Sequence, residues 1–220
     1  MHLSDTCRLV PSRYPTVGIL DRIATPEDLP YIFELETWTN DRISNELGII
    51  HRIPPDEWVV GRPMASVIMA AFCHPRPTGG RFNSGDRGAW YAALDLATAH
   101  AEVVYHRTRE LEEIGVFDTR VQVRLYQADF DCAFQQIAPR TPNRAALLDP
   151  DSYTASQAYA RELLESGANG ILYPSVRRPE GRCVACFRPK RVLNVRPGVH
   201  FEYRWNGASR PEIRKLVPLR

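Results

Sequence analysis

The run Gly79-Gly80-Arg81-Phe82-Asn83-Ser84-Gly85, followed by Trp90-Tyr91-Ala92-Ala93 and then by Asp95 at the head of a stretch ending at Gly115, constrains local structure more tightly than any other part of this chain. Glycines admit backbone conformations closed to other residues, so the first segment reads as a loop. Trp90-Tyr91-Ala92 reads as a strand. Asp95 is a good helix N-cap and Gly115 a good stop, so the strand passes almost directly into a helix running to Gly115. Loop, strand and helix then carry, in that order, an arginine (Arg81), a tyrosine (Tyr91) and a glutamate (Glu102).

Other elements are marked by the same local chemistry. Thr25-Pro26-Glu27-Asp28 predicts a helix start, with Thr25 as N-cap, proline at the first helical position and acids in the first turn, and an end near Asn40. From Ile49 to Gly80 proline interrupts an apolar run, Val67 to Phe72, and no single local structure is specified. Alternation at Val121, Val123 and Leu125 predicts a half-buried strand. A second amphipathic helix begins between Ser152 and Ala155 and stops at Gly167; Gly170 to Tyr173 is a short buried strand that Pro174 turns. Cys183 to Phe187 is another strand, closed by Pro189, and Tyr203-Arg204-Trp205 adds an edge. The expectation is one α+β domain with more strands than helices.

Composition narrows the function classes. With 220 residues, 44% of them hydrophobic, the chain can bury one full core. Its 28 basic and 26 acidic residues are interspersed and leave a net charge of +2, too balanced for a dedicated nucleic-acid binder. No run reaches the ~18 apolar residues of a membrane span, and Met1-His2-Leu3-Ser4-Asp5 does not begin a signal peptide, so a cytoplasmic protein without membrane attachment is expected. Five cysteines, an odd and scattered set, fit reduced thiols. Cys183-Val184-Ala185-Cys186 lacks a second ligand pair at motif spacing, so thiols on a strand are expected and a metal site is not.

Familiar catalytic patterns fail in turn. There is neither a G-x-G-x-x-G after a strand nor a G-K-[ST]. His100 and His106 superficially suggest a zinc-protease helix, but six residues apart they point roughly 240° from each other. Ser175 lacks the flanking glycines of a nucleophile elbow. What remains is Arg81, Tyr91, Glu102 and Ser175. An arginine fork beside glycines suits a diphosphate, and equally suits a surface turn. Tyr91 can stack on a flat ring or fill the core. Glu102 lies near the apolar side of its helix, where a carboxylate is costly unless it has a partner or a task. Such a task exists in cleaving a bond between an aromatic base and ribose, where a carboxylate opposes the developing cation.

With Asn169-Gly170-Ile171-Leu172-Tyr173-Pro174-Ser175 added, the joint pattern resembles the RES-domain family, over a span from about Arg8 to Trp205. The resemblance implies an ADP-ribosyltransferase-like mixed sheet with flanking helices, acting on NAD by hydrolysis or phosphorolysis, with NAD as substrate, phosphate as co-substrate in the second case, no cofactor and no metal. It implies Arg22, Glu102 and Ser175 as catalytic residues and Arg81 and Tyr91 as substrate-binding residues, with Arg13 and Arg52 as rivals to Arg22. Within a single domain spanning 1–220, the motif-bearing core covers about 79–205, preceded by an extension and helix in about 1–78 and followed by a tail over 206–220. A cognate helix-turn-helix antitoxin is the implied partner, and a homodimer is compatible with it. Two alternatives stay open: ADP-ribosyl transfer to a protein, and a non-enzymatic nucleic-acid module using Arg204, Arg210, Arg214, Lys215 and Arg220, although direct nucleic-acid binding is not expected.

Overall fold

The computed structural model describes residues 1–11, 21 and 48–217. The helix expected between Thr25 and Asn40 lies outside them. Among the described residues, eight strands form one sheet in the order β4-β5-β6-β2-β1-β3-β7-β8: β1 His2–Pro11, β2 Trp90–Ala93, β3 Asp118–Asp131, β4 Gln135–Gln136, β5 Gly170–Pro174, β6 Arg182–Cys186, β7 Leu193–Asn206 and β8 Glu212–Leu216. Only the short β4–β5 pairing is parallel; the other pairs are antiparallel. Helices α1 Ala65–Cys73, α2 Leu96–Ile114, α3 Arg144–Leu147 and α4 Thr154–Glu165 complete this α+β architecture. No described helix is long and apolar enough to cross a membrane.

Side-chain alternation divides the interior into two cores, one on each face. On β2, Trp90 and Ala92 join α1, and Ala93 joins α2. On β6, Val184 and Cys186 face the first core and Cys183 and Ala185 the second. This period of two explains the cysteines: three residues apart on a strand, Cys183 and Cys186 project to opposite faces and cannot share a ligand. Both are reduced, and burial pushes both thiols well above their ordinary range.

The sequence expectations for α2, α4, β5 and β6 are met. The Asp95 carboxylate accepts from the Thr98 amide at 2.8 Å, and Gly115 ends α2 in the left-handed conformation (φ 68°) that glycine adopts at little cost. The apolar run at Val67–Phe72 is α1, whose N-terminus is capped from far away: Asp21 accepts from the amides of Met64 at 2.9 Å and Ser66 at 2.6 Å. One expectation is corrected. Tyr203 and Trp205 are not on an edge but fully buried in β7, between β3 and β8; the edge is the exposed, charge-rich β8. The sheet also draws on residues assigned to extension and tail, since β1 sits near its middle and β8 closes one side.

A half-buried ion cluster ties three parts of the chain together. Glu57, in a single turn before α1, pairs with both Arg87 and Arg188. Arg87 also donates to the Phe187 carbonyl and Arg188 to the Leu164 carbonyl, each at 2.8 Å. Removing the shared carboxylate strands two desolvated cations. Glu57→Ala should therefore lower stability by about 3 kcal/mol, read as a shift of the urea midpoint with unchanged slope.

A second cluster sets the acid response. Hydrogen bonds from Arg196 are the largest of the effects that hold the Asp129 carboxyl far below the usual carboxylate range, with the Asp5 amide and Asn194 adding to them. A carboxylate depressed in the folded state contributes stability that is present above its unfolded pKa of about 3.9 and lost as pH falls toward the folded value. Arg196→Ala should therefore lower stability most near pH 7, with the deficit against wild type shrinking as pH falls below about 4, as monitored by urea unfolding followed by circular dichroism across pH.

Candidate active site

The edge of β2, the glycine loop before it and the helix after it enclose a cleft of about 620 Å³. Cys7, Arg8 and Leu9 of β1 contribute to its lining, with the end of α1 at Ala71 and His74. Arg81, Tyr91 and Glu102 all line this cleft, so the loop–strand–helix order read from the sequence becomes one spatial set.

Tyr91 organises the loop. Its hydroxyl accepts from the Phe82 amide and donates to Asn83 Oδ1, both at 2.8 Å, while burial, more than any other effect, drives its pKa well above the ordinary tyrosine range. Gly80 allows this packing, because a Cβ there would lie 2.7 Å from Asn83 Oδ1 and 2.9 Å from the Tyr91 hydroxyl. Gln157 of α4 closes the other side, donating to the carbonyls of Thr78 and Gly80. The loop is thereby held between a strand and a helix.

Arg81 is buried, with its guanidinium 4.6 Å from the Tyr153 ring centroid and one terminal nitrogen donating to the Asp149 carbonyl at 2.6 Å. The same nitrogen also donates to the Leu147 carbonyl at 3.4 Å, so ring and carbonyls together orient the fork without cancelling its charge. Glu102, half-buried on α2, accepts from the Ser175 hydroxyl at 2.7 Å. The Ser175 oxygen itself accepts from the amides of Arg177 and Arg178, both at 3.1 Å. Ser175 thus acts on Glu102 from behind and is not among the residues lining the cleft. Cys183 adds a weaker sulfur contact to the same carboxylate oxygen at 3.8 Å.

The rival arginines separate. Arg22 and Arg13 lie outside the described residues, and Arg52 pairs with Asp86 at the surface, 3.1 Å away. Sequence reasoning missed Arg8, whose guanidinium lies 4.9 Å from the Trp90 ring centroid and donates to the Tyr91 carbonyl at 3.0 Å. Burial pulls its pKa down to about 10, so it remains a cation at neutral pH in a desolvated position facing the cleft. Tyr153, Gln157 and His106 were missed too. For His106 a signal was available, since it stands four residues after Glu102 on one helix.

The cleft of this mixed α+β fold thus combines two oriented arginines, Arg8 and Arg81, the Tyr153 ring against Arg81, the buried Tyr91 hydroxyl and a carboxylate braced by Ser175. Residues 49–206 match the family model described as the RES domain, and the chain belongs to that family. It is similar to the uncharacterized protein y4oC of Sinorhizobium fredii, at 26% identity over 91% of this chain and 82% of that protein. Among solved structures it is similar to a chain of the M. tuberculosis MbcT-MbcA toxin-antitoxin complex, at 14% identity and a TM-score of 0.46, covering 91% of this chain and 85% of that one.

The packing around Gly80 yields a test of the loop. Gly80→Ala should displace Asn83 or the Tyr91 hydroxyl, lower stability by about 1–3 kcal/mol, and weaken any ligand of the cleft. Thermal melts and a structure of the variant would check this.

Proposed function

We propose that this chain is a toxin that cleaves the nicotinamide–ribose bond of NAD in the cytoplasm and is held inactive by a cognate helix-turn-helix antitoxin. The observation that carries the reading is the convergence of Arg81, Tyr91 and a Ser175-braced Glu102 on one cleft. Membership of the RES family supports NAD as the substrate class.

The roles follow from the chemistry of each group. Arg81, with Arg8 and Arg76 in the same cleft, holds the diphosphate, for which the arginine fork is suited in charge and shape. Arg22 is assigned to the same task on the family pattern. Tyr91 or Tyr153 offers a face for the nicotinamide ring. As the C1–N bond breaks, its electron pair stays with nicotinamide, which leaves neutral, and the ribose becomes cationic. Glu102 opposes that charge in the transition state, where electrostatic stabilisation is worth most. The Ser175 hydrogen bond fixes the carboxylate so that little reorganisation accompanies the reaction. Water or phosphate then completes the bond to C1. The reading includes no metal ligand and no bound cofactor.

Two outcomes are expected. Purified wild-type protein should release nicotinamide from NAD in the presence of chelator, and Glu102→Gln should lower kcat by about 10²–10³-fold with KM little changed, measured by product chromatography with and without phosphate. Unchanged NAD with folded wild-type protein would refute the enzymatic reading, and wild-type turnover in Glu102→Gln would refute the role of the carboxylate. ADP-ribose on protein instead of free products would identify the transferase. In cells, the wild-type chain expressed alone should stop growth and lower NAD, whereas co-expression with the adjacent gene product should give an inactive complex; harmless accumulation with NAD unchanged would exclude a toxin.

A further inference from the structure

His106 follows Glu102 by one turn of α2, and both side chains line the cleft. The imidazole is half-buried and edge-on to Tyr105, with ring centroids 5.3 Å apart. Charged groups surround it from several elements: Arg76 from the segment after α1, Arg81 from the glycine loop, Arg177 from the loop between β5 and β6, and Glu110 from α2 itself. Asp151, Tyr153 and Arg107 line the same cavity. His100, by contrast, turns away to pack against Phe201 and Tyr203. The two histidines therefore have different tasks, and only one faces the cleft.

Burial, and then repulsion from Arg76, Arg177 and Arg81, push the His106 pKa down to about 4 against the opposing pull of Glu110. The ring is neutral at pH 7, so one nitrogen carries a proton and the other can accept one. Glu102 is differently placed, since one carboxylate oxygen is already engaged by Ser175 and Cys183. Its setting suits a fixed counter-charge, whereas that of His106 suits a proton acceptor.

We propose that His106 is a second catalytic residue, removing the proton from the water that attacks C1 of the ribose while Glu102 opposes the cation. The inference rests on the NAD-cleaving reading. In the step, the C1–N bond breaks with its pair passing to nicotinamide, a bond forms from the water oxygen to C1, and a proton of that water passes to the imidazole and on to solvent. The substrate diphosphate aids this transfer by offsetting the charges of Arg76 and Arg81, which raises the proton affinity of the neighbouring ring once substrate is bound.

The test compares nucleophiles. Azide attacks without a proton to lose, so a general base is irrelevant to it. With water, His106→Gln should lower kcat by about 10²-fold with KM for NAD little changed. With azide, wild type and His106→Gln should form glycosyl azide at similar rates. His106→Ala should regain hydrolysis on addition of imidazole, which keeps the idea testable if the glutamine variant folds poorly. Equal turnover of wild type and His106→Gln with water overturns the proposal, as does an equal loss with azide or a failure of imidazole to restore activity in folded His106→Ala. If wild type releases no nicotinamide under any condition, the NAD-cleaving reading itself falls, a result distinct from wild-type hydrolysis that survives the histidine substitutions.

Discussion

Burial of β2, β5 and β6 on both faces is the constraint on which the molecule depends. A strand covered twice must satisfy all its backbone groups through neighbouring strands and place side chains into two interiors at once. The sequence meets this with residues of modest size: Ala92 and Ala93 on β2, and Cys183, Val184, Ala185 and Cys186 on β6. Small side chains let α2 lie close against the sheet, with Ala99 buried at the contact. That proximity brings Glu102 within reach of Ser175, at the far end of β5 and 73 residues away in sequence. The carboxylate is positioned by the core rather than by its own loop.

Electrostatics around the cleft follow from where opposing charge is absent as much as from where it is present. Arg76 and Arg107 at the rim share Glu110, whereas Arg8 and Arg81 lean on aromatic faces and carbonyl oxygens, with no carboxylate in an ion pair among the described residues. Aromatic faces and backbone oxygens orient a guanidinium without cancelling its charge. Both guanidinium charges thus remain uncancelled in the cleft, while burial first, and then Arg76, Arg177 and Arg81, push the His106 pKa down. On the proposed mechanism, a single distribution of charge would serve both binding and proton transfer.

The parts legible in the sequence were those specified locally. Asp95 and Gly115 bracket α2 by their own capping chemistry, and Arg81, Tyr91 and Glu102 converge because loop, strand and helix follow one another without a long connection. α1 was not legible because its cap, Asp21, is distant in sequence. β1 was obscured by the irregularity between Leu3 and Thr6, where Asp5 takes a positive φ of 56° and breaks the alternation on which strand reading relies. Without β1, Arg8 could not be placed in the cleft. Tyr203 and Trp205 were taken for an edge because the strand outside them, Glu212–Leu216, is mostly charged and carries little hydrophobic signal. The bracing of Glu102 by Ser175 was likewise invisible, since no spacing rule joins residues so far apart.

The central position of β1 bears on the order in which this chain acquires its shape during synthesis. Thr6 bonds to Ala128, 122 residues later, and β2, on the other side of β1, begins at Trp90. A ribosome must therefore release more than half the chain before the first strand can find both neighbours, and β5 and β6, which complete the floor near Glu102, emerge later still. Contacts so distant in sequence form slowly, after the entropy of closing long loops has been overcome. The emerging chain consequently carries Arg8 long before a cleft is assembled around it, and whatever chemistry the cleft supports waits until β5 and β6 have emerged.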